Sequence, residues 1–138
     1  METNQALKIP SYIKVLSDKL LKNLIASDSD VQQAILSTKD GFEIAAAPTK
    51  KTVETAKLAA VASSLSALSS LSITETNLGT KYETILIESD KGYFLVMDIL
   101  VSDESFSMIL NIVVAPKTAV LGKIIYHTKI LADSLSKN

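Results

Sequence analysis

Hydrophobic residues recur along this chain with two spacings, one helical and one alternating, and together they predict eight elements. Helical spacing begins after Pro10 and repeats from Ile13 to Leu24. Alternation or short apolar runs, which are typical of strands, mark five other segments. Three helices and five strands are therefore predicted, at residues 10–26, 31–38, 42–47, 52–78, 82–89, 93–101, 106–114 and 116–135.

Glycine and proline residues mark the ends of these elements. Gly41 and Gly92 each lie in an Asp-containing turn between two strands, and Gly41 would supply positive φ at little cost. Gly79 is placed as the C-terminal cap of the second helix, and Pro116 suits the first turn of the third. Residues 102–105 read as a polar turn. These short connections make neighbouring strands antiparallel.

The order of the elements predicts the architecture. Three of the five strands, including 31–38 and 106–114, are apolar on both faces, and such a sheet needs a layer on each side. We therefore expect an α+β fold of sandwich type, in which a five-stranded antiparallel sheet carries helices on both faces. The first and last helices would cover one face. The central helix would cover the other, and a second copy of that helix would complete the layer.

The central helix has an unusual composition, because no charge, glycine or proline occurs between Lys57 and Glu75. Its leucine side, which includes Leu58 and Leu68, is expected to pack on the core of its own chain. The opposite side carries only small residues, which would let a second copy of the helix come close. We predict a dimer interface on that side, formed by Ala56, Ala60, Ser63, Ala67, Ser70 and Thr74. The alternative is a helix buried within one chain.

Insertion of the central helix into a membrane is not expected. The apolar run is shorter than a bilayer span needs, contains six serines, and has charged residues close to both ends. The N-terminus lacks the apolar core of a signal peptide, and the chain has no cysteine, which fits a reducing compartment. We expect a cytoplasmic protein, with a flexible segment at residues 1–8 and one domain at 9–138.

Charge and candidate chemistry exclude several classes of function. The 14 basic residues are all lysines, the net charge is −1, and the two signs are interspersed, so nucleic acid is not an expected partner. His127 is the only histidine and no cysteine could join it in a metal set. No Gly-x-Ser-x-Gly elbow or glycine-rich phosphate loop occurs. Asp103 and Glu104 read as solvated acids, and Asp98 as a residue near a strand end. An enzyme, a cofactor site and a metal site are therefore not predicted.

Four segments in fixed order carry a resemblance to a known family. They are STKDGFEIAAA, the helix AKLAAVASSLSALSSL followed by NLG, ILIESDKGYFLVMDI, and SMILNIVVAPKTAVLGKI. Together they span about residues 31–135. The chain resembles the Roadblock family, which includes dynein light chains and bacterial or archaeal regulators of Ras-like GTPases. The resemblance implies a Roadblock/profilin-like fold.

The resemblance also implies a homodimer and a partner. Central helices of two subunits would pack side by side, and the strand after that helix would pair with its copy through residues Tyr82, Thr84, Leu86 and Glu88. A regulatory or scaffold role toward a small Ras-like GTPase is implied. The charged residues that open the central helix are our candidates for that contact, namely Lys50, Lys51, Glu54 and Lys57.

Two other functions stay open at this point. One is a dimeric structural subunit of a larger assembly that has no GTPase partner. The other is a small-molecule sensor, since antiparallel sheets flanked by helices also serve that role. A sensor needs a polar-lined cavity, whereas a core of Leu, Ile, Val and Ala favours a filled interior.

Overall fold

The computed structural model describes residues 9–101 and 107–136, and its elements follow the predicted order. The predicted α+β fold and its order of elements are confirmed. Residues 1–8, the polar turn at 102–105 with Asp103 and Glu104, and Phe106 lie outside the described residues. The elements are α1 (Ser11–Ser27), β1 (Val31–Thr38), β2 (Glu43–Ala47), α2 (Val53–Glu75), β3 (Thr84–Glu88), β4 (Tyr93–Leu100), β5 (Ser107–Val114) and α3 (Leu121–Ser136).

The five strands form one antiparallel sheet in the order β2-β1-β5-β4-β3. Its main core lies under α1 and α3, where Leu36 is paired with Leu110 in the register between β1 and β5. Large aliphatic side chains fill this layer, and complete burial of each contributes roughly 1.5–3 kcal/mol. The fully buried members include Ile13, Leu21, Leu36, Leu95, Leu110, Ile112, Ile124 and Leu135.

The opposite face of the sheet is covered by α2 through small side chains. Thr55, Ala59, Ala62 and Ser66 are the buried residues of this helix. The sheet supplies the bulk of the contact, since Ile35, Val96 and Ile109 are fully buried beneath the helix. Small helix residues let the backbone of α2 lie close to the sheet, which explains why this face has a thin layer.

The prediction that the leucine side of α2 packs on its own core is therefore wrong. Leu58 and Leu65 are half-buried at the border of the contact, but Val61 and Leu68 are exposed. The helix carries no charged residue between Lys57 and Glu75, so the sequence did not indicate which side of the helix is exposed to solvent.

α2 crosses the sheet from one pair of strands to another. Ala59 packs against β1 and β2, and Ala62 packs against β4 and β5. Farther along, the hydroxyl of Tyr82 donates a hydrogen bond to Ser66 Oγ at 2.8 Å. Thr52 caps the start of the helix in a reciprocal capping box with Thr55.

Two element boundaries differ from the predictions. α2 ends in a Schellman motif in which Asn77, with φ of 59°, is the left-handed residue, and Leu78 N donates to Ile73 O. Gly79 lies two residues farther on and is not that cap. The last helix begins at Leu121, because Pro116 starts a separate turn in which Ala119 N donates to the Pro116 carbonyl. β2 is buried on both faces, since α1 covers one and α2 the other.

Candidate dimer and partner interface

An apolar ridge runs along the outer side of α2. Val53, Val61, Leu68 and Leu71 are exposed by 66%, 47%, 62% and 56%. Single exposed apolar residues are ordinary on protein surfaces, but four on one side of a single helix indicate an interaction surface. We call these four residues the α2 ridge.

The spacing along the outer side of α2 matches that of paired helices. Lys57, Val61, Ser64, Leu68 and Leu71 follow one another at intervals of four, three, four and three residues. This period of 3.5 residues keeps one seam facing a neighbouring helix that crosses at a shallow angle. The ridge is therefore suited to a helical partner.

A shallow apolar groove lies on the sheet face that α2 leaves uncovered. Ile87, Phe94 and Val113 are neighbours in the β3–β4 and β4–β5 registers and line a groove of about 250 Å³. α2 packs mainly on β1, β2, β4 and β5. It reaches only the border of the groove, where Leu65, Ile85 and Phe94 are half-buried. The α2 ridge and the groove therefore both expose apolar side chains on the α2 side of the sheet.

The predicted small-residue interface has a different position on the helix. Ala56, Ala60, Ala67 and Thr74 are exposed, whereas Ser63 and Ser70 are half-buried. Ser63 Oγ donates to the Lys39 carbonyl at 2.6 Å, and the turn at Gly41 lies against Ala60 and Ser63. Part of this side is therefore occupied by the β1–β2 turn of the same chain, and Ala60 and Ala67 remain accessible beside the ridge.

β3 is the outermost strand beside β4, and its far edge faces no other strand of the described residues. Leu86 and Glu88 are exposed on it, and Thr84 is half-buried. Tyr82 precedes the strand, and its side chain is 6% exposed and bonded to Ser66 within the protomer. Tyr82 could therefore reach a second copy only through its backbone.

The sequence matches the Roadblock/LC7 domain over residues 17–101. The chain belongs to the Roadblock/LC7 family. No curated protein matches it in sequence. Solved structures share its fold, among them a Roadblock/LC7 domain from Streptomyces avermitilis, with 20% identity, a TM-score of 0.73, and coverage of 86% of this chain and 92% of that one.

Two proteins named MglB share the fold as well. MglB of Myxococcus xanthus is 18% identical with a TM-score of 0.75, and the match covers 90% of this chain and 87% of that one. The gliding protein MglB of Thermus thermophilus is 16% identical with a TM-score of 0.74, with coverage of 94% and 92%. At these identities the likeness concerns the Roadblock fold.

The charged residues at the start of α2 of this Roadblock domain have different environments. Lys50 Nζ lies 2.8 Å from Asp18 Oδ2 on α1, so its charge is engaged within the protomer. Lys51 adopts φ of 52°, and its N–H donates to Glu43 Oε2 at 2.7 Å. Glu54 and Lys57 are exposed on the helix itself. Lys57 begins the seam that continues through the α2 ridge.

The chemical inventory of the Roadblock domain is sparse. In residues 9–101 and 107–136, no group of three His, Asp or Glu side chains is arranged to hold a metal ion. His127 is half-buried on α3 beside Tyr126, with ring centroids 5.8 Å apart. Asp98 lies two residues before the end of β4, as expected. The interface predicted on the small-residue side of α2 stays a prediction, and Ala60 and Ala67 on that side are exposed. The exposure of Val61 and Leu68 was not predicted, because only the burial of Ala59 and Ala62 fixes the orientation of the helix.

One helix of the described chain, Val53–Glu75, is long and apolar enough to cross a membrane by length and composition alone. Core helices of globular proteins satisfy the same criterion, so the observation is weak. The exposed residues of the α2 ridge contribute to the apolar character of this helix. The absence of membrane insertion stays a prediction.

Proposed function

We propose that this Roadblock protein is a dimeric, non-enzymatic regulator or scaffold that binds a small Ras-like GTPase in the cytoplasm. The observation that carries the proposal is the α2 ridge beside an uncovered groove of the sheet. Family membership supports the GTPase partner, because the family includes regulators of Ras-like GTPases.

In the proposed dimer, α2 of a second copy lies beside α2 of the first. Burial of one leucine contributes roughly 1.5–3 kcal/mol, and a twofold contact uses each ridge residue twice. The second helix would also cover Ile87, Phe94 and Val113, which α2 of the same chain leaves uncovered. Ala60 and Ala67 border the ridge and would allow close approach.

Pairing of β3 with its copy would extend the sheet across the dimer. An edge strand that stays unpaired is normally protected by Lys, Pro or a bulge, and Thr84–Glu88 contains none of the three. Leu86 and Ile87 are exposed on this strand. A strand from a second copy would satisfy the outward backbone groups of the edge.

The GTPase would bind to the platform formed by the two helices and their flanks. Glu54 and Lys57 are exposed at the start of α2 and are the charged candidates for this contact. The chain contains no arginine. An arginine finger is therefore unavailable, and any stimulation of hydrolysis would come from reshaping the switch regions of the GTPase.

The dimer is tested by Leu68→Lys, which places a charge in the centre of the ridge where burial of an unpaired ammonium is costly. Val15→Lys is the matched control, because Val15 is an exposed apolar residue of α1. Light scattering should give a dimer for the wild type and Val15→Lys, and a monomer for Leu68→Lys. A monomeric wild type at micromolar concentration would overturn the proposal.

The partner is tested by titration of wild type and Leu68→Lys with a purified small Ras-like GTPase from the same organism. The GTPase is loaded with GDP in one series and with a non-hydrolysable GTP analogue in another. We expect binding that depends on the nucleotide and is weaker for Leu68→Lys. An intact dimer that binds no such GTPase would leave the structural subunit as the better function.

A further inference from the structure

The outward side of α1 carries two exposed apolar residues followed by two exposed lysines. Tyr12 and Val15 are exposed by 47% and 70%, and Lys19 and Lys22 follow at intervals of four and three residues. The buried apolar residues of α1 lie on the opposite side of the helix, where they join the main core. These four residues therefore form one stripe that faces solvent.

α3 lies beside α1 on the same face of the sheet and adds two more exposed apolar residues. Tyr126 and Ile130 are exposed by 63% and 47%, lie about one turn apart, and are opposite the buried residues of α3. Both exposed aromatic residues of this face, Tyr12 and Tyr126, are tyrosines. Their rings combine apolar surface with a polar hydroxyl, which suits a boundary between lipid and water. We call the outward sides of the two helices the α1/α3 face.

The charge of these two helices is opposite in sign to that of the whole chain. α1 and α3 together contain five lysines and two aspartates, a net charge of +3, whereas the chain carries −1. Lys14, Lys19 and Lys22 are exposed and form no ion pair within residues 9–101 and 107–136. Asp18, the one acid of α1, is compensated by Lys50 at 2.8 Å.

The excess positive charge lies on α1, because the lysines of α3 have partners. Lys123 Nζ lies 3.6 Å from Asp28 Oδ2, and Lys129 Nζ lies 3.7 Å from Glu83 Oε1. Asp133 is exposed toward the C-terminal end of α3 and opposes one charge of the face. The lysines of α1 still outnumber it, so the complement of this face is an anionic surface.

We propose that the α1/α3 face binds the surface of an anionic phospholipid bilayer. The lysines of α1 attract the headgroups, and the exposed tyrosine, valine and isoleucine side chains enter the headgroup layer. The protein lies on the bilayer and does not span it. This inference does not depend on the proposed function, because the α2 ridge lies on the opposite face of the sheet.

Two observations favour a lipid surface over an acidic protein as the occupant. The exposed apolar residues are spread over two neighbouring helices, which suits an extended surface. The positive charges are all lysines, which act as point charges toward many headgroups. Paired recognition of carboxylates in a protein partner favours the planar guanidinium group, and this chain has no arginine.

The probe is a phospholipid vesicle, and binding of the full chain is measured by co-sedimentation. Vesicles of phosphatidylcholine alone are compared with vesicles that contain about 30% phosphatidylglycerol. Each lysine near an anionic surface contributes about fivefold to the partition coefficient, so three lysines predict about a hundredfold preference for the anionic vesicles. The preference should shrink when the salt concentration is raised from about 0.1 M to about 0.5 M.

Equal binding to both kinds of vesicle, or no binding to the anionic vesicles, would overturn the proposal. Soluble polyglutamate serves as a probe for an acidic polypeptide. Binding to polyglutamate without binding to anionic vesicles would also overturn it, and would leave an acidic protein as the occupant.

Paired substitutions separate this face from the net charge of the chain. Lys19→Gln together with Lys22→Gln should weaken binding to anionic vesicles about 25-fold. Lys39→Gln together with Lys91→Gln is the matched control, because it removes the same charge from exposed turns outside α1 and α3. Val15→Ser should weaken binding about threefold or more, because it removes apolar surface from the contact. An equal loss in the two lysine pairs would contradict the site.

Discussion

The hydroxyl of Tyr82 donates a hydrogen bond to Ser66 Oγ at 2.8 Å, with both side chains buried. Ser66 belongs to α2 and Tyr82 to the connection that leads into β3. The contact therefore fixes the strand relative to the helix. These are the two elements of the proposed dimer interface, so a second copy would meet a preformed surface.

Removal of this hydroxyl should destabilise the protein. Tyr82→Phe leaves Ser66 Oγ buried without its donor, and an unsatisfied buried polar group costs about 1–3 kcal/mol. Tyr126→Phe is the control, because Tyr126 is 63% exposed. Urea denaturation should show a lower free energy of unfolding for Tyr82→Phe only. Equal effects of the two substitutions would show that the bond adds nothing to stability.

The same residue predicts a loss of stability in alkaline solution. Burial raises the pKa of the Tyr82 phenol, the bond with Ser66 opposes this, and the negative charge of Asp98 adds to it. In the unfolded chain the phenol titrates near pH 10. Above about pH 10 the unfolded state therefore binds fewer protons than the folded state, and stability falls as pH rises through the folded pKa. The fall should be smaller in Tyr82→Phe, and an identical pH dependence would contradict the assignment.

The edge of β3 should be protected by dimer formation. If β3 pairs with its copy, the outward amides of Thr84–Glu88 form hydrogen bonds across the twofold axis and exchange slowly. In Leu68→Lys, which should be monomeric, those amides should exchange fast while the amides bonded to β4 keep their protection. Hydrogen exchange followed by NMR resolves the two sets. Fast exchange of the outward amides in a dimeric wild type would place the interface elsewhere.

The elements could be predicted from sequence, but the orientation of α2 could not. β1 and β5 read correctly as strands buried on both faces, because apolar residues occur at odd and even positions alike. In α2 the leucines follow helical spacing but border solvent, while Ala59 and Ala62 are fully buried. The bulk that fills this layer comes from Ile35 and Val96 on the sheet. A helical wheel gives no information about the size of the side chains on the sheet that the helix packs against.

The pocket of about 350 Å³ between the end of β4 and α3, which Met97 and Ala132 help to line, could not be predicted from the sequence for a related reason. Asp98 in an apolar strand signalled a strand end, and that placement was correct. The pocket depends on where β3 begins, on the path of residues 81–83, and on α3 placing Ala132 nearby. Because these segments are far apart in the sequence, no local sequence pattern predicts that they form a pocket.

Alanine substitutions at Gly92 and Gly122 should have opposite effects on the stability of the protein. A Cβ on Gly92 would collide with the Val114 carbonyl, so Gly92→Ala must displace the β3–β4 turn from β5 and should cost about 1–3 kcal/mol. A Cβ on Gly122 meets no atom of the described residues, and Gly122→Ala in α3 should be neutral or stabilise by up to about 1 kcal/mol. Thermal unfolding of both variants checks the pair. A tolerated Gly92→Ala would contradict the close packing of the turn on β5.

The lysines at the start of α2 separate two mechanisms of GTPase stimulation. Lys57 is exposed on the seam, whereas Lys50 is paired with Asp18. If the dimer acts as a platform, Lys57→Ala should weaken GTPase binding about two- to fivefold, as expected for one exposed ion pair. Lys50→Ala should leave binding nearly unchanged. Stimulated hydrolysis, measured by phosphate release at saturating protein, should stay near the wild-type value for both, because saturation restores the complex. A lysine whose loss abolishes hydrolysis at saturation would act on the phosphates directly, in place of the arginine that this chain lacks.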